Sequence, residues 1–235
     1  MERPRWYQTA RSATLYSAGV NDPLGAILIV AAGYLIGSLP MGIIVARLTG
    51  GTDPRTVGSG RTGGTNALRA MGPARGISVG LLDLAKGAIP ILSAGWLGAP
   101  VEVQALAGTA AVLGAWKSIF LRFHGGRGVA AGVGGMMAIS IPVVLIAAPV
   151  FFGVIFLTRY VSLGSLLGTA FGSLVTVVFI LLGWLPAGWL LYVIPGVVIV
   201  WVAHSDNIGR LWAGTERRFD PAEFRSSPPP GGRAS

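Results

Sequence analysis

Apolar residues run along this chain in blocks, at roughly 23–48, 76–98, 102–121, 129–141, 143–158, 163–184 and 187–204, with short polar segments between them. A helix needs about 20 such residues to cross a hydrocarbon core of about 30 Å. The first, second, third, sixth and seventh blocks come near that length. Residues 129–158 taken as one helix would be about 44 Å long at a rise of about 1.5 Å per residue, too long to span comfortably. Ser140-Ile141-Pro142 offers a place to turn and divides the stretch into two short spans. The pattern predicts an all-α, polytopic integral membrane protein with seven transmembrane helices, six being the alternative.

Composition agrees. Hydrophobic residues make up 52% of the chain and charged residues 11%, whereas a soluble domain carries about 25% charged residues. There is no cysteine, which excludes disulfide and thiolate chemistry. The net charge of +9 could suggest a nucleic-acid partner, but the cations sit in short loops between apolar blocks. Contact with membrane lipids and anionic substrates explains them better than nucleic acid does. With the C-terminus in the cytoplasm, seven spans place fourteen of the eighteen Lys and Arg residues inside. Arg3, Arg5 and Arg11 stay outside with the N-terminus, and Lys86 falls within a span. The first 22 residues are polar and mixed, without the apolar core of a secretory signal, and read as an N-terminal extension. A membrane domain over 23–219 follows, and then a Pro/Ser/Gly-rich tail over 220–235 that is expected to be disordered. The residues leave the oligomeric state open.

Candidate chemistry gathers in the polar segments. Val57-Gly58-Ser59-Gly60-Arg61-Thr62-Gly63-Gly64-Thr65-Asn66-Ala67-Leu68-Arg69 combines glycine, small hydroxyls, an amide and two arginines. Glycine-rich backbone can turn its N–H groups towards one point, which suits a phosphate. A plain linker between spans would be shorter and poorer in donors. Arg122-Phe123-His124-Gly125-Gly126-Arg127-Gly128 is a second loop of the same kind. Arg127 offers a planar fork for a phosphate, and an ordinary inside-facing arginine would not need glycines on both sides. His204 and Asn207 share a helix face at the end of the last block, where a histidine also serves as a simple cap. Tyr160-Val161-Ser162-Leu163 adds another hydroxyl. Asp83 and Lys86, three apart in an apolar helix, are as compatible with a structural ion pair as with a substrate contact. There is no Walker A lysine motif, no His-Glu-x-x-His and no carboxylate cluster for a metal. Gly76-Ile77-Ser78-Val79-Gly80 matches a nucleophile elbow only by letter, since no strand precedes it.

These motifs together resemble the membrane-integral acyl-phosphate:glycerol-3-phosphate acyltransferases of bacterial phospholipid synthesis. The resemblance runs from about Gly33 to Phe219. It is carried by Gly37-Ser38-Leu39-Pro40-Met41-Gly42, the two glycine loops, Leu82-Asp83-x-x-Lys86-Gly87, Arg159-Tyr160-Val161-Ser162-Leu163, His204-x-x-Asn207-Ile208-x-Arg210-Leu211 and Gly214-Thr215-Glu216. It implies seven spans with the N-terminus outside, the C-terminus cytoplasmic and the active site on the cytoplasmic face of the bacterial inner membrane. It also implies acyl transfer from acyl phosphate to the sn-1 hydroxyl of glycerol 3-phosphate, giving lysophosphatidic acid and phosphate, with no cofactor. Ser59, Gly60, Gly125, Gly126, Arg127 and Gly128 are then expected around the acyl phosphate. Thr65, Asn66, Arg69, His204 and Asn207 are expected around the substrate phosphate and hydroxyls, with Ser162 nearby. No general base is assigned, and His204 is the candidate.

The chain departs from the family pattern at several places. Ala115 stands for a histidine, Ser118 for a proline, Arg61 for an asparagine, Gly64 for an alanine and Arg127 for a lysine. The competing readings are a divergent non-catalytic relative and a transporter for phosphate-bearing lipids or metabolites. A transporter would be expected to carry broken helices at mid-membrane and related halves, and no internal repeat is evident.

Overall fold

The computed structural model describes residues 22–220, all helical or irregular, with no strand among them. The expected N-terminal extension and disordered tail lie outside the described residues, save for Asp22 and Asp220 at their edges. Asp22 starts α1, Pro23–Ser38, by accepting the Gly25 amide on its carboxylate at 2.5 Å, with Pro23 in the first turn. A missing N–H costs nothing at that position. α1 stops before Pro40, which has no N–H to continue the ladder, and α2, Met41–Thr49, leaves at an angle of 47°. The break takes the Leu39 carbonyl out of the helical ladder and leaves it accepting the Met41 amide at 3.0 Å. Lys86 Nζ donates to it at 2.9 Å and lies 2.9 Å from Asp83, both side chains being buried. The Asp83–Lys86 pair therefore secures a bent helix; burying two charges is tolerable because each has the other and the carbonyl accepts a hydrogen bond from the ammonium.

The remaining helices are α3, Gly64–Met71; α4, Pro73–Trp96; α5, Val101–Trp116; α6, Val129–Ile139; α7, Ile141–Thr158; α8, Val161–Leu181; α9, Leu190–Ala203; and α10, Ser205–Trp212. α9 and α10 meet at 56°. The turn expected at Ser140 is present: this residue is extended (φ −160°, ψ 102°), and Pro142 sits in the first turn of α7. Four helical stretches are long and apolar enough to cross a membrane: α4, α5 extended to Leu121, α7 and α8. Counting α1–α2 and α9–α10 each as one bent span brings the number to six. α6 is apolar but has only 11 residues, a rise of about 16 Å.

Close backbone contact holds the bundle. Gly33 and Gly37 of α1 lie against the carbonyls of Ala107 and Ala111 on α5, leaving no room for a methyl group. Gly87 meets Ala131, and Gly134 meets Leu84, where α4 crosses α6. Small residues matter here because lipid tails are as apolar as leucine, so association rests on packing rather than on escape from water. Hydroxyls add directed bonds: Tyr192 donates to the Gly132 carbonyl at 2.6 Å and Thr109 to the Leu191 carbonyl at 2.8 Å. α7 shows the opposite face of the same physics. Its apolar window is 6% buried, with Phe156 and Leu157 pointing outward.

Candidate active site

The first glycine loop, between α2 and α3, is built around one amide. Asn66 is buried, and its Nδ2 donates to the carbonyls of Pro54 (2.5 Å), Arg61 (2.8 Å) and Val57 (3.1 Å). Its Oδ1 accepts the Ser59 amide at 3.1 Å. Gly58 has φ +55°, and a side chain there would strike that same oxygen. Asp53 opens the loop, taking the Arg55 amide and side chain, and the Arg55 guanidinium holds its carboxyl below the usual carboxylate range. Asn66, expected to touch substrate, thus lies beneath the loop and gives it its shape.

The second loop is fastened by backbone instead. The Gly125 amide donates to the Trp116 carbonyl at 2.9 Å and the Gly126 amide to that of Ala115 at 2.8 Å. These bonds close residues 117–124 into a loop on the end of α5. A methyl at Gly125 would stand 2.6 Å from the Ala115 carbonyl oxygen and 2.8 Å from that of Trp116. Gly128, at φ +77°, turns the chain into α6, whose Gly132 amide donates back to the Gly128 carbonyl at 2.7 Å. The amides of the first turn of α6 have no such intrahelical acceptor.

The two loops meet. The Arg61 guanidinium reaches the Gly125 carbonyl at 3.5 Å. A Cβ on Gly126 would lie 3.8 Å from the Gly63 amide and 3.9 Å from the Thr62 hydroxyl. One element of the cradle differs from expectation: the amides of Ser59, Gly60, Gly125 and Gly126 are all spent inside the loops. The glycines are needed for shape and for close approach. The groups turned to the junction are side chains and the starts of α3 and α6.

From this junction a chain of polar contacts runs to the last helix. Arg127 pairs with Asp206 at 3.1 Å, Asp206 with Arg210 at 3.4 Å, and Arg210 with Glu216 at 2.8 Å. Glu216 also accepts the Ser162 hydroxyl at 2.9 Å and the Asn207 amide at 2.5 Å. His204 is 2% exposed at the α9–α10 bend, its Nδ1 2.7 Å from the Val200 carbonyl. A carbonyl only accepts, so Nδ1 carries the proton, and burial, which pushes the ring's pKa down to about 4, keeps it neutral with a lone pair on Nε2. Two buried atoms in this network have no protein partner among the described residues, Arg127 Nε and Asn207 Oδ1. Burial pushes Arg127 below the usual arginine range while Asp206 pulls it back, and the group stays cationic near neutrality.

Of the expected residues, Ser59 is half-buried and Thr65 exposed on the first turn of α3. Arg69 lines a cleft of about 570 Å³ with Gly58, Arg217, Arg218 and Asp220. Ser162, His204 and Asn207 come together with Arg127 at the α9–α10 bend. Asp206 and Glu216 carry much of the network and were given no site role from sequence. The available signal was their rarity: nine acidic residues in 235, two of them beside Arg210. The departures also acquire roles. Ser118 donates to the Ser38 carbonyl at 2.6 Å, and a methyl at Gly64 would crowd the Cα of Gly80 on α4 at 3.1 Å.

An all-helical membrane bundle with a half-buried arginine, a histidine lone pair, and an unpaired donor and an unpaired acceptor at one loop junction has the makings of a membrane enzyme for anionic substrates. The family model for glycerol-3-phosphate acyltransferase matches residues 27–214. A glycerol-3-phosphate acyltransferase of Anaeromyxobacter sp. (strain Fw109-5) is 42% identical over 206 residues, covering 85% of this chain and 99% of the relative. The crystal structure of PlsY (YgiH), an integral membrane glycerol 3-phosphate acyltransferase, in its glycerol 3-phosphate form matches with a TM-score of 0.76 at 35% identity. Its lysophosphatidic acid form matches with a TM-score of 0.73 at 33% identity, and both cover 86% of this chain and 100% of the other. The chain belongs to the glycerol-3-phosphate acyltransferase family and is a membrane acyltransferase. The transporter and non-catalytic readings give way to that.

Proposed function

We propose that the protein transfers a fatty acyl group from acyl phosphate to the sn-1 hydroxyl of glycerol 3-phosphate, releasing lysophosphatidic acid and inorganic phosphate. The observation that carries this reading is the junction of the two glycine loops around Arg127, with its unpaired Nε, next to the His204–Asn207 face. The relative's two forms, with glycerol 3-phosphate and with lysophosphatidic acid, support the acceptor and the product. The arrangement is the seven-helix one, N-terminus outside and C-terminus cytoplasmic, with α6 as a short segment of its own. The gathering of Arg and Lys in the segments that carry the site supports an active site on the cytoplasmic face of the inner membrane.

Acyl phosphate arrives activated, so the work is to hold two anions close and to stabilise charge as it develops on the carbonyl and the leaving phosphate. Arg127 and the Ser59 hydroxyl hold the donor phosphate. Thr65, Arg69, Asn207 and His204 position the acceptor, with Asn66 and Ser162 acting through the groups they hold. The acceptor oxygen bonds to the acyl carbon, the carbon–oxygen bond to phosphate breaks, and the hydroxyl proton passes to a phosphate oxygen of the donor. His204 Nε2 is the second acceptor for that proton, favoured by the protonated Nδ1. Purified protein with both substrates should form lysophosphatidic acid well above an Arg127→Ala control; no product above that control sinks the reading. In His204→Ala, a rate profile that loses its pH limbs makes the histidine the base, and an unchanged shape leaves the phosphate oxygen in that role.

A further inference from the structure

The family match ends at residue 214, but the ordered chain continues as a strap over 215–220. Three anchors hold it. Glu216 is bound by Ser162, Asn207 and Arg210. Arg218 Nε reaches the Tyr160 hydroxyl at 3.4 Å, with its guanidinium 5.7 Å from the ring centre. The Phe219 amide donates to the Arg159 carbonyl at 2.6 Å. So held, the strap forms one wall of the cleft of about 570 Å³, and Gly58 and Arg69 of the first loop region form the other. This volume lies in the range of small-molecule sites, about 300–1,000 Å³. Three arginines and one aspartate line it, a formal excess of two positive charges.

We infer that this cleft is an entry subsite for the phosphomonoester dianion of the acceptor, and that Arg217 and Arg218 draw it in beside Arg69. The inference rests on the acceptor named under the proposed function. A dianion matches the excess charge, and a cleft lined by one sign of charge concentrates its counter-ion. The lining has no run of apolar side chains, so it suits a small polar phosphate rather than the acyl tail. Arg217 and Arg218 thus act on acceptor capture and not on the transfer step.

The test uses the full chain in neutral detergent micelles and glycerol 3-phosphate as the probe, measured by calorimetric binding and by turnover. In Arg217→Ala/Arg218→Ala, the Kd and KM for glycerol 3-phosphate should rise about fivefold to tenfold, while kcat and the KM for acyl phosphate stay within about twofold. The difference should shrink at high salt, and Arg217→Lys/Arg218→Lys should recover most of the loss. Unchanged Kd and KM in the alanine pair, or a lysine pair no better than alanine, overturns the inference. So does phosphatidic acid that displaces glycerol 3-phosphate from the wild type but not from the alanine pair, which would make the occupant a lipid headgroup. Wild type that binds glycerol 3-phosphate through the two arginines yet forms no product would sink the proposed reaction and leave the subsite standing. Wild type that turns over while the alanine pair is indistinguishable from it would sink the subsite alone.

Discussion

The two glycine loops are alike in composition and opposite in construction. The first is tied by a side chain: one buried Asn66 amide gathers three carbonyls and an N–H from residues 54 to 61. The second is tied by backbone, Gly125 and Gly126 bonding to the end of α5. A side-chain clamp can be removed by one truncation but tolerates nearby change. A backbone zipper has no side chain to remove and fails instead when a Cβ is added. The division extends to chemistry. The second loop is tied to α5 by backbone, its one internal side-chain bond being His124 Nδ1 to the Arg122 carbonyl at 2.7 Å, which leaves Arg127 to face the site, whereas the first loop sinks its amide and presents hydroxyls.

The sharpest break of this comparison is Arg127→Ala. It removes a buried donor to developing phosphate charge, and kcat/KM should fall by about 10²–10³. Thermal stability should change little, because the Asp206 partner is 39% exposed and partly exposed ion pairs contribute little. Arg127→Lys keeps charge without the fork and should fall between the two. A large fall in melting temperature for Arg127→Ala would show that the arginine closes the second loop, against the division drawn above.

Asn66→Ala comes next. The Arg61 carbonyl and the Ser59 N–H lose their partner beneath the first loop, and the Pro54 and Val57 carbonyls each keep one backbone donor, at a cost of about 2–4 kcal/mol. Turnover should drop about 30- to 100-fold and the first loop should become the preferred site of limited proteolysis. The second loop should keep its protection. Cleavage appearing equally in both would mean that they fold as one unit.

How much of this was legible beforehand differs between the loops for a physical reason. The apolar blocks and the turn at Ser140 follow from composition and spacing, whereas the grouping of the glycine segments with His204 and Asn207 comes from the family resemblance. The burial of Asn66 does not, because an amide in a glycine loop reads equally well as a ligand contact or as a clamp. Which it is depends on where residues 54 to 61 fold back, a matter of backbone path rather than of residue type. The role of Glu216 is hidden likewise, although the residue is part of the motif set: its three partners lie on two helices, 54 residues distant in the case of Ser162. The length of α6 was hidden because an apolar run shows where a helix can form but not how much of it the Gly128 turn and the Ser140 break remove.

A smaller effect separates the paired glycines of the second loop. Gly125→Ala puts a methyl 2.6 Å from one backbone oxygen and 2.8 Å from another, and backbone cannot step aside as a side chain does. The cost should be about 1–3 kcal/mol in unfolding, with activity falling in step. At Gly126 the nearest atom would be 3.5 Å away, an ordinary contact, so Gly126→Ala should unfold within about 0.5 kcal/mol of wild type. Equal destabilisation by the two substitutions would contradict the backbone register described for this loop.

The mildest change tests whether the loops need each other. Arg61 stands where the family resemblance leads one to expect asparagine, and its guanidinium reaches the Gly125 carbonyl at 3.5 Å. That is a long bond from a partly exposed side chain, worth little in itself. Its backbone carbonyl, by contrast, is held by Asn66 at 2.8 Å, a contact any residue at position 61 can keep. Arg61→Asn should therefore retain the clamp and lose only the strut, leaving kcat/KM within about threefold of wild type. The residual effect should appear in donor binding, since removing a cation near Arg127 lowers the local positive field that holds a phosphate. A tenfold loss would instead make the contact between the loops, rather than the integrity of each, the feature that sets the geometry around Arg127.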